Sequence, residues 1–174
     1  MNTTKEFQRP IAEMLDRAEV NRRGSRLSVV ASAIASVLAT ILYIVCESAY
    51  MGPPYLRGDL ETSLTVSVLL FGPLLAFVFS VIPAQFGGRM LAVVLWLLIR
   101  RHDKSIVSMS LALIIGGMTG GLVGYGVALM GYWLVGLAHT VGPDCGYLAG
   151  ILAGGVTGIW YAYRITHWLY STKV

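Results

Sequence analysis

Four long runs of apolar residues constrain the fold of this chain more than any other feature. They cover about residues 27–47, 64–82, 106–129 and 146–168. A helix rises 1.5 Å per residue, so a run of about 20 residues crosses a hydrocarbon core of about 30 Å. Backbone polar groups in a bilayer must be satisfied within the segment, which a helix achieves. The sequence therefore predicts an all-α integral membrane protein, a bundle of four transmembrane helices.

The composition supports a membrane protein and argues against several classes of function. Of the 174 residues, 56% are hydrophobic and 13% are charged, whereas soluble domains carry about 25% charged residues. The sequence contains no phosphate-binding loop, dinucleotide fingerprint, zinc-ligand spacing or catalytic-triad pattern. We therefore expect no enzymatic activity, no cofactor, no metal site and no nucleic-acid partner.

The basic residues predict the orientation of the spans. Six Lys and Arg lie in residues 1–26, four lie between 83 and 105, and two follow residue 163, while the loop 47–63 contains one. Cytoplasmic loops carry the excess of positive charge, so both termini are expected in the cytoplasm. The chain resembles, in general terms, the small multi-spanning proteins of bacterial inner membranes. We therefore expect a multi-pass protein of the bacterial inner (plasma) membrane.

The segment 1–26 is expected to be a basic cytoplasmic segment that precedes the membrane domain 27–174. Four apolar residues in it recur at helical spacing: Ile11, Met14, Leu15 and Ala18. This pattern is typical of an amphipathic helix. The sequence therefore predicts an N-terminal amphipathic helix at the membrane surface or on the inner face of the protein.

A second short helix is predicted after the second span. Pro83, Gly87 and Gly88 interrupt the apolar sequence there, and these residue types break helices. Residues 89–99 are too few to span a bilayer, so they predict a short interfacial helix, with a fifth span as the alternative. Four basic residues flank this segment and are predicted to contact lipid headgroups: Arg89, Arg100, Arg101 and Lys104.

Small residues recur every fourth position in each of the four spans. The first span has Ser28, Ser32, Ser36 and Thr40, and the second has Gly72, Ala76, Ser80, Ala84 and Gly88. The third and fourth have the most glycine, at Gly116, Gly120, Gly124, Gly146, Gly150, Gly154 and Gly158. Small residues let helix backbones approach closely in lipid. These seven glycines predict a helix-packing interface of the glycine-zipper type, with the third and fourth spans as the closest pair.

The same spacing leaves three functional interpretations open: packing within one chain, an interface between chains, and a glycine-lined conduction path. Mid-membrane charges, which proton relays and many ion-coupled carriers use, are missing from the spans. We therefore predict a structural, binding or regulatory subunit that acts through small-residue helix packing. Its expected partners are the lipid bilayer and either copies of itself or another membrane protein. The alternative is an oligomeric uncharged channel or facilitator lined by the third and fourth spans.

Two further features lie at the ends of the spans. Cys46 and Cys145 are expected at the same depth on the outer side, where a disulfide between them could form; two unrelated thiols are the alternative. At the opposite end, five aromatic residues predict a belt at the inner interface: Trp160, Tyr161, Tyr163, Trp168 and Tyr170.

Overall fold

The computed structural model describes residues 3–51, 59–101, 106–135 and 143–172, and all of these are helical. The helices are α1 (Thr3–Met51), α2 (Asp59–Arg101), α3 (Ile106–Val135) and α4 (Pro143–Thr172). Each contains a segment long and apolar enough to cross a membrane: Arg17–Tyr50, Leu70–Ile99, Met109–Gly131 and Cys145–Ser171. The prediction of an all-α chain with four such helices is confirmed.

Helix α1 runs through the predicted boundary at residue 26 without a break. Its 49 residues correspond to about 73 Å of helix, far more than one hydrocarbon core. Within it, Val20 and Gly24 are buried against the other helices. The basic segment is therefore a direct extension of the first span, and its placement on a membrane surface stays a prediction.

The predicted break in α2 is wrong. The helix continues for 43 residues through Pro73, Pro83, Gly87 and Gly88, so residues 89–99 form neither a separate interfacial helix nor a separate fifth span. Proline removes one backbone hydrogen bond, but membrane helices tolerate this loss where neighbouring helices support them. Contacts from α1 and α4 flank the interruption, as described below for Ser80 and Gly88.

The four helices form two close pairs. α3 packs most extensively against α4, and α1 against α2, while α1 also contacts α4 along a considerable length. The contact between α2 and α3 is smaller than any of these. The bundle is therefore well closed on the α1–α4 side and least closed on the α2–α3 side.

Large apolar side chains fill one end of the bundle, where α1 and α3 begin and α2 and α4 end. Its fully buried side chains include Leu95, Ile99 and Ile165. The buried cluster consists of Val20, Ala31, Leu91, Ala92, Leu95, Ile99, Ala112, Tyr161, Ala162, Ile165 and Leu169. We call this end the closed half.

Candidate functional site

The other end of the bundle contains a cavity of about 570 Å³ between the two helix pairs. All four helices line it, and most of the lining residues are Gly, Ala, Ser or Thr. None of the described residues that line it is charged. We call this cavity the cleft.

The cleft forms where the small-residue spacings of the first two spans meet. The four hydroxyl residues from Ser28 to Thr40 on α1 and the five small residues from Gly72 to Gly88 on α2 all line it. Small side chains allow two helices to approach, but they do not fill the space at the centre of four helices. The pattern read from the sequence as a packing device therefore also creates an open volume.

The cleft is open to the outside between α2 and α3. Among the described residues, none is buried between 67 and 79 on α2 or between 117 and 131 on α3. Phe71 and Leu75 line the cleft and are nevertheless 60% and 51% exposed, which places them at its rim. Because these helices are long and apolar enough to span a membrane, this opening would face lipid.

Hydroxyl groups on the wall of the cleft are bonded within the protein. The Ser36 hydroxyl donates to the Ser32 carbonyl (2.7 Å), Thr40 donates to the Ser36 carbonyl (2.9 Å), and Thr157 donates to the Ala153 carbonyl (2.8 Å). These protons are therefore not available to a guest, and the wall around them is only weakly polar.

One hydroxyl pair joins α1 to α2 across the cleft wall. The Ser32 and Ser80 hydroxyl oxygens lie 2.5 Å apart, and Ser80 also lies within donating distance of the Phe77 carbonyl (3.2 Å). When Ser80 donates to Phe77, it accepts the Ser32 proton, and both hydroxyls are satisfied. This contact lies one turn before Pro83 and supports α2 there. Both serines belong to the small-residue spacings of the sequence, but those spacings do not indicate that the two hydroxyls meet.

Tyr161 forms the floor of the cleft, where it meets the closed half. Its hydroxyl donates to the Gly88 carbonyl of α2 (2.6 Å) and lies 3.2 Å from the Gly24 carbonyl of α1. A Cβ on Gly88 would lie 2.6 Å from the Ser28 Cβ, and one on Gly24 would lie 2.9 Å from the Ala92 Cβ. Glycine at both positions therefore permits the three helices to meet.

The assignment of Tyr161 to an aromatic belt is wrong, because its side chain is only 3% exposed. A signal for this was present in the sequence: Tyr161 follows Ala149, Ala153 and Thr157 at intervals of four residues. This second spacing on α4 is buried throughout. Of the other belt residues, Tyr163 is exposed, and the Trp168 ring stacks under the Arg23 guanidinium at 4.5 Å.

The glycine interface lies between α3 and α4 within the chain. A Cβ on Gly120 or Gly124 would lie within 3.0 Å of a backbone oxygen of Gly154 or Gly150, respectively. The same closeness applies to each of the six glycines Gly116, Gly120, Gly124, Gly150, Gly154 and Gly158. Gly146 differs, since a Cβ there would meet nothing within 4 Å; it lines the cleft and does not belong to this contact.

The structure joins Cys46 of α1 and Cys145 of α4 by a disulfide, with the two Cα atoms 5.7 Å apart. The bond lies at the open end of the cleft, beside Gly146. It ties the two helices that form the side of the bundle opposite the opening. The sequence places both cysteines at the same depth and leaves the pairing open beside two unrelated thiols, and formation of the bond in cells depends on an oxidising compartment.

The predicted headgroup contacts are only partly described. Arg89 is exposed, and its guanidinium lies 3.4 Å from the Ser25 hydroxyl. The side chains of Arg100 and Arg101, and the whole of Lys104, lie outside the described residues. Within the described part of the chain, no group of three or more His, Cys, Asp or Glu residues could hold a metal ion.

By sequence and by fold, no family model, no curated protein and no solved structure matches this chain.

Proposed function

We propose that this chain is a binding or regulatory subunit of the bacterial inner membrane, not an enzyme, and that the cleft is its binding site. The observation that carries the proposal is an uncharged cleft of about 570 Å³, formed by all four helices and open on one side. Ligand sites are commonly concave, mostly apolar and about 300–1,000 Å³ in volume. Among the described residues that line the cleft, none carries a charge of the kind that catalysis or ion coupling uses.

The orientation we propose places the closed half on the cytoplasmic side. Described basic residues cluster at that end, including Arg22, Arg23, Arg26 and Arg89, and basic residues favour the cytoplasmic side. Both termini would then be cytoplasmic. The cleft would open within the outer leaflet, where it is accessible to molecules dissolved in the bilayer.

The glycine contact favours binding at the cleft over binding at the glycines. Gly120 and Gly154 already face each other inside the chain, so this surface offers no free groove to a second copy. A partner protein or a second copy would bind at the rim of the cleft on the α2–α3 side, where Phe71 and Leu75 are exposed. The proposed role is therefore recognition through the cleft.

An oligomeric uncharged channel lined by α3 and α4 is the second candidate, because Gly124 and Gly150 of the glycine contact also line the cleft. Channel function predicts solute flux, which a binding subunit does not produce. Vesicles containing the purified chain, diluted into glycerol, would swell faster than empty vesicles if the cleft conducted an uncharged solute. Swelling at the same rate would count against a channel.

A matched pair of tryptophan variants tests the binding site. Ala76 lines the cleft, whereas Val78 on the same helix is exposed and does not line it. Ala76→Trp should fill the cleft, while Val78→Trp adds the same side chain on the outside. Each protein is purified in mild detergent, and the co-purified proteins and lipids are identified by mass spectrometry.

We expect at least one species that accompanies the wild type and Val78→Trp but is reduced at least fivefold with Ala76→Trp. Equal melting temperatures of the two variants would show that the loss is not a folding defect. If all three proteins carry the same species in the same amounts, the cleft is not the binding site and the proposal fails.

A further inference from the structure

We propose that one hydrocarbon chain of a bilayer phospholipid occupies the cleft. The chain enters sideways between α2 and α3, its end lies near Tyr161, and its headgroup stays at the open end. This inference rests on the proposed function, since it names the occupant of the same cleft.

The width of the cleft admits a hydrocarbon chain and is too small for a helix with side chains. On α4 its lining extends from Gly146 to Tyr161, about 22 Å along the helix axis. A volume of 570 Å³ over that length gives a mean width of about 6 Å for the centres of guest atoms, which corresponds to about 9 Å between the wall surfaces. A helix with side chains needs about 10–12 Å. A methylene chain is about 4–5 Å wide, as carbon contact distances of 3.5–4.0 Å imply, so it fits the cleft and a partner helix does not.

The chemistry of the wall suits an apolar guest. The hydroxyls of Ser36, Thr40 and Thr157 already donate to backbone carbonyls, so a hydrocarbon deprives none of them of a partner. A stable buried water needs two to four polar partners, and an ion needs charges or free carbonyl oxygens. Among the described lining residues, no side chain is charged. Hydrocarbon is therefore the occupant that this wall accommodates at least cost.

The two ends of the cleft fix the direction of the chain. The floor is closed, because the Tyr161 hydroxyl bridges backbone carbonyls of α1 and α2, so a chain cannot pass into the closed half. At the open end, Tyr43 and Tyr147 line the cleft, and the Tyr147 ring packs against Tyr125 at 5.4 Å. Tyrosine is enriched at the headgroup level of bilayers. The polar end of the lipid would therefore lie near these rings.

Photocrosslinking in vesicles tests the proposal. The full chain is reconstituted in phosphatidylethanolamine and phosphatidylglycerol that include a phospholipid with a diazirine near the end of one acyl chain. After irradiation, the modified residues are mapped by mass spectrometry. Ala35 and Ala39 of α1 line the cleft on the side away from its opening and are partly exposed, so a chain inside the cleft contacts them. We expect adducts at these two residues in the wild type.

Tryptophan variants distinguish photolabelling inside the cleft from photolabelling on the outer surface. Ala76→Trp should lower the labelling of Ala35 and Ala39 at least tenfold, and Val78→Trp should leave it unchanged. Val127→Trp repeats the test from α3, with Leu122→Trp as its control, because Val127 lines the cleft and Leu122 is exposed outside it. This second pair decides the question if Ala76→Trp does not fold.

The outcomes distinguish the inference from the proposed function. Adducts confined to outward residues such as Leu70 would overturn the lipid occupant. Labelling by a diazirine fatty acid, but not by the phospholipid probe, would overturn the phospholipid as the source of the chain. If Ala76→Trp loses a co-purifying protein while Ala35 and Ala39 stay unlabelled in the wild type, the proposed function stands and the lipid inference fails. If neither effect occurs, both fail.

Discussion

The closed half and the cleft are built from the same four helices, yet one is filled with side chains and the other encloses open volume. In the closed half, the inward positions carry Leu95, Ile99 and Ile165, which are fully buried. In the cleft, the corresponding positions carry residues such as Ser36 and Ala76. The difference lies in side-chain size, because the four-residue spacing continues through both regions.

The comparison shows that small residues act differently between two helices and among four. Between α3 and α4, glycine brings the backbones together, and backbone atoms fill the space. At the centre of the bundle, equally small residues leave a gap, since no backbone occupies the middle. Large aliphatic side chains are needed to fill this space. They occupy the inward positions of the closed half, whereas most residues that line the cleft are small.

The largest expected effect concerns the α3–α4 contact, which is closely packed in both halves of the bundle. Gly120→Ile would place side-chain atoms within 3.0 Å of the Gly154 backbone. Backbone cannot yield as a flexible side chain does, so we expect a loss of more than about 3 kcal/mol in the free energy of unfolding. Thermal unfolding in detergent and the amount of monodisperse protein measure this loss, and the membrane-inserted fraction should be unchanged.

Gly126→Ile is the control for that substitution, because a Cβ at Gly126 meets nothing within 4 Å. It should unfold within a few degrees of the wild type. If the two variants unfold at the same temperature, α3 and α4 do not cross as closely as described.

A pair of truncations tests the contrast between the two halves directly. Leu95→Ala removes a fully buried side chain from the closed half and should cost about 2–5 kcal/mol. Val123→Ala truncates a side chain that lines the cleft. That side chain already borders open volume, so the substitution should cost less than about 1 kcal/mol. Melting temperatures of the two variants in one detergent give the comparison, and equal losses would mean that the cleft is as tightly packed as the closed half.

Apart from the comparison variant Val123→Ala, the smallest expected effect concerns the disulfide at the open end. Cys46→Ser should lower stability by about 2 kcal/mol, the low end of the usual range, because a chain held across a bilayer has less freedom to lose. A thiol-reactive polyethylene glycol should shift the wild type on a gel only after reduction. Cys145→Ser, and the double variant with both substitutions, should have the same melting temperature as Cys46→Ser. A shift without reductant would show that the bond does not form in cells.

Which parts of the fold could be predicted from the sequence depends on the kind of contact. The four spans and the α3–α4 pair were predictable, because hydropathy and glycine spacing are local properties of one or two helices. Gly146 shares the four-residue glycine spacing of α4 but makes no close contact with α3. The spacing alone does not indicate where the two helices diverge. The continuity of α2 was missed, because support near Pro83 comes from Ser32 and Tyr161, which are distant in the chain.

The cleft could not be predicted from the sequence. Its volume depends on how far α2 and α3 lie apart, and a repeated small residue is equally consistent with contact or with a gap. The role of Tyr161 was hidden for a related reason. A tyrosine near the end of a span is typical of the interface, and only its partners Gly24 and Gly88 show that it points inward.

The disulfide also bears on the order in which this protein is made. Its two cysteines are 99 residues apart, in the first and the last helix. On the proposed orientation, Cys145 follows the outer end of α3, so it reaches the oxidising side once α3 has crossed the membrane and the chain after it has been translocated. A chain that ends before Cys145 cannot make the bond. The oxidised fraction of newly made protein therefore reports translocation of the segment after α3, and a pulse-labelled culture would show this as the disappearance of free thiols.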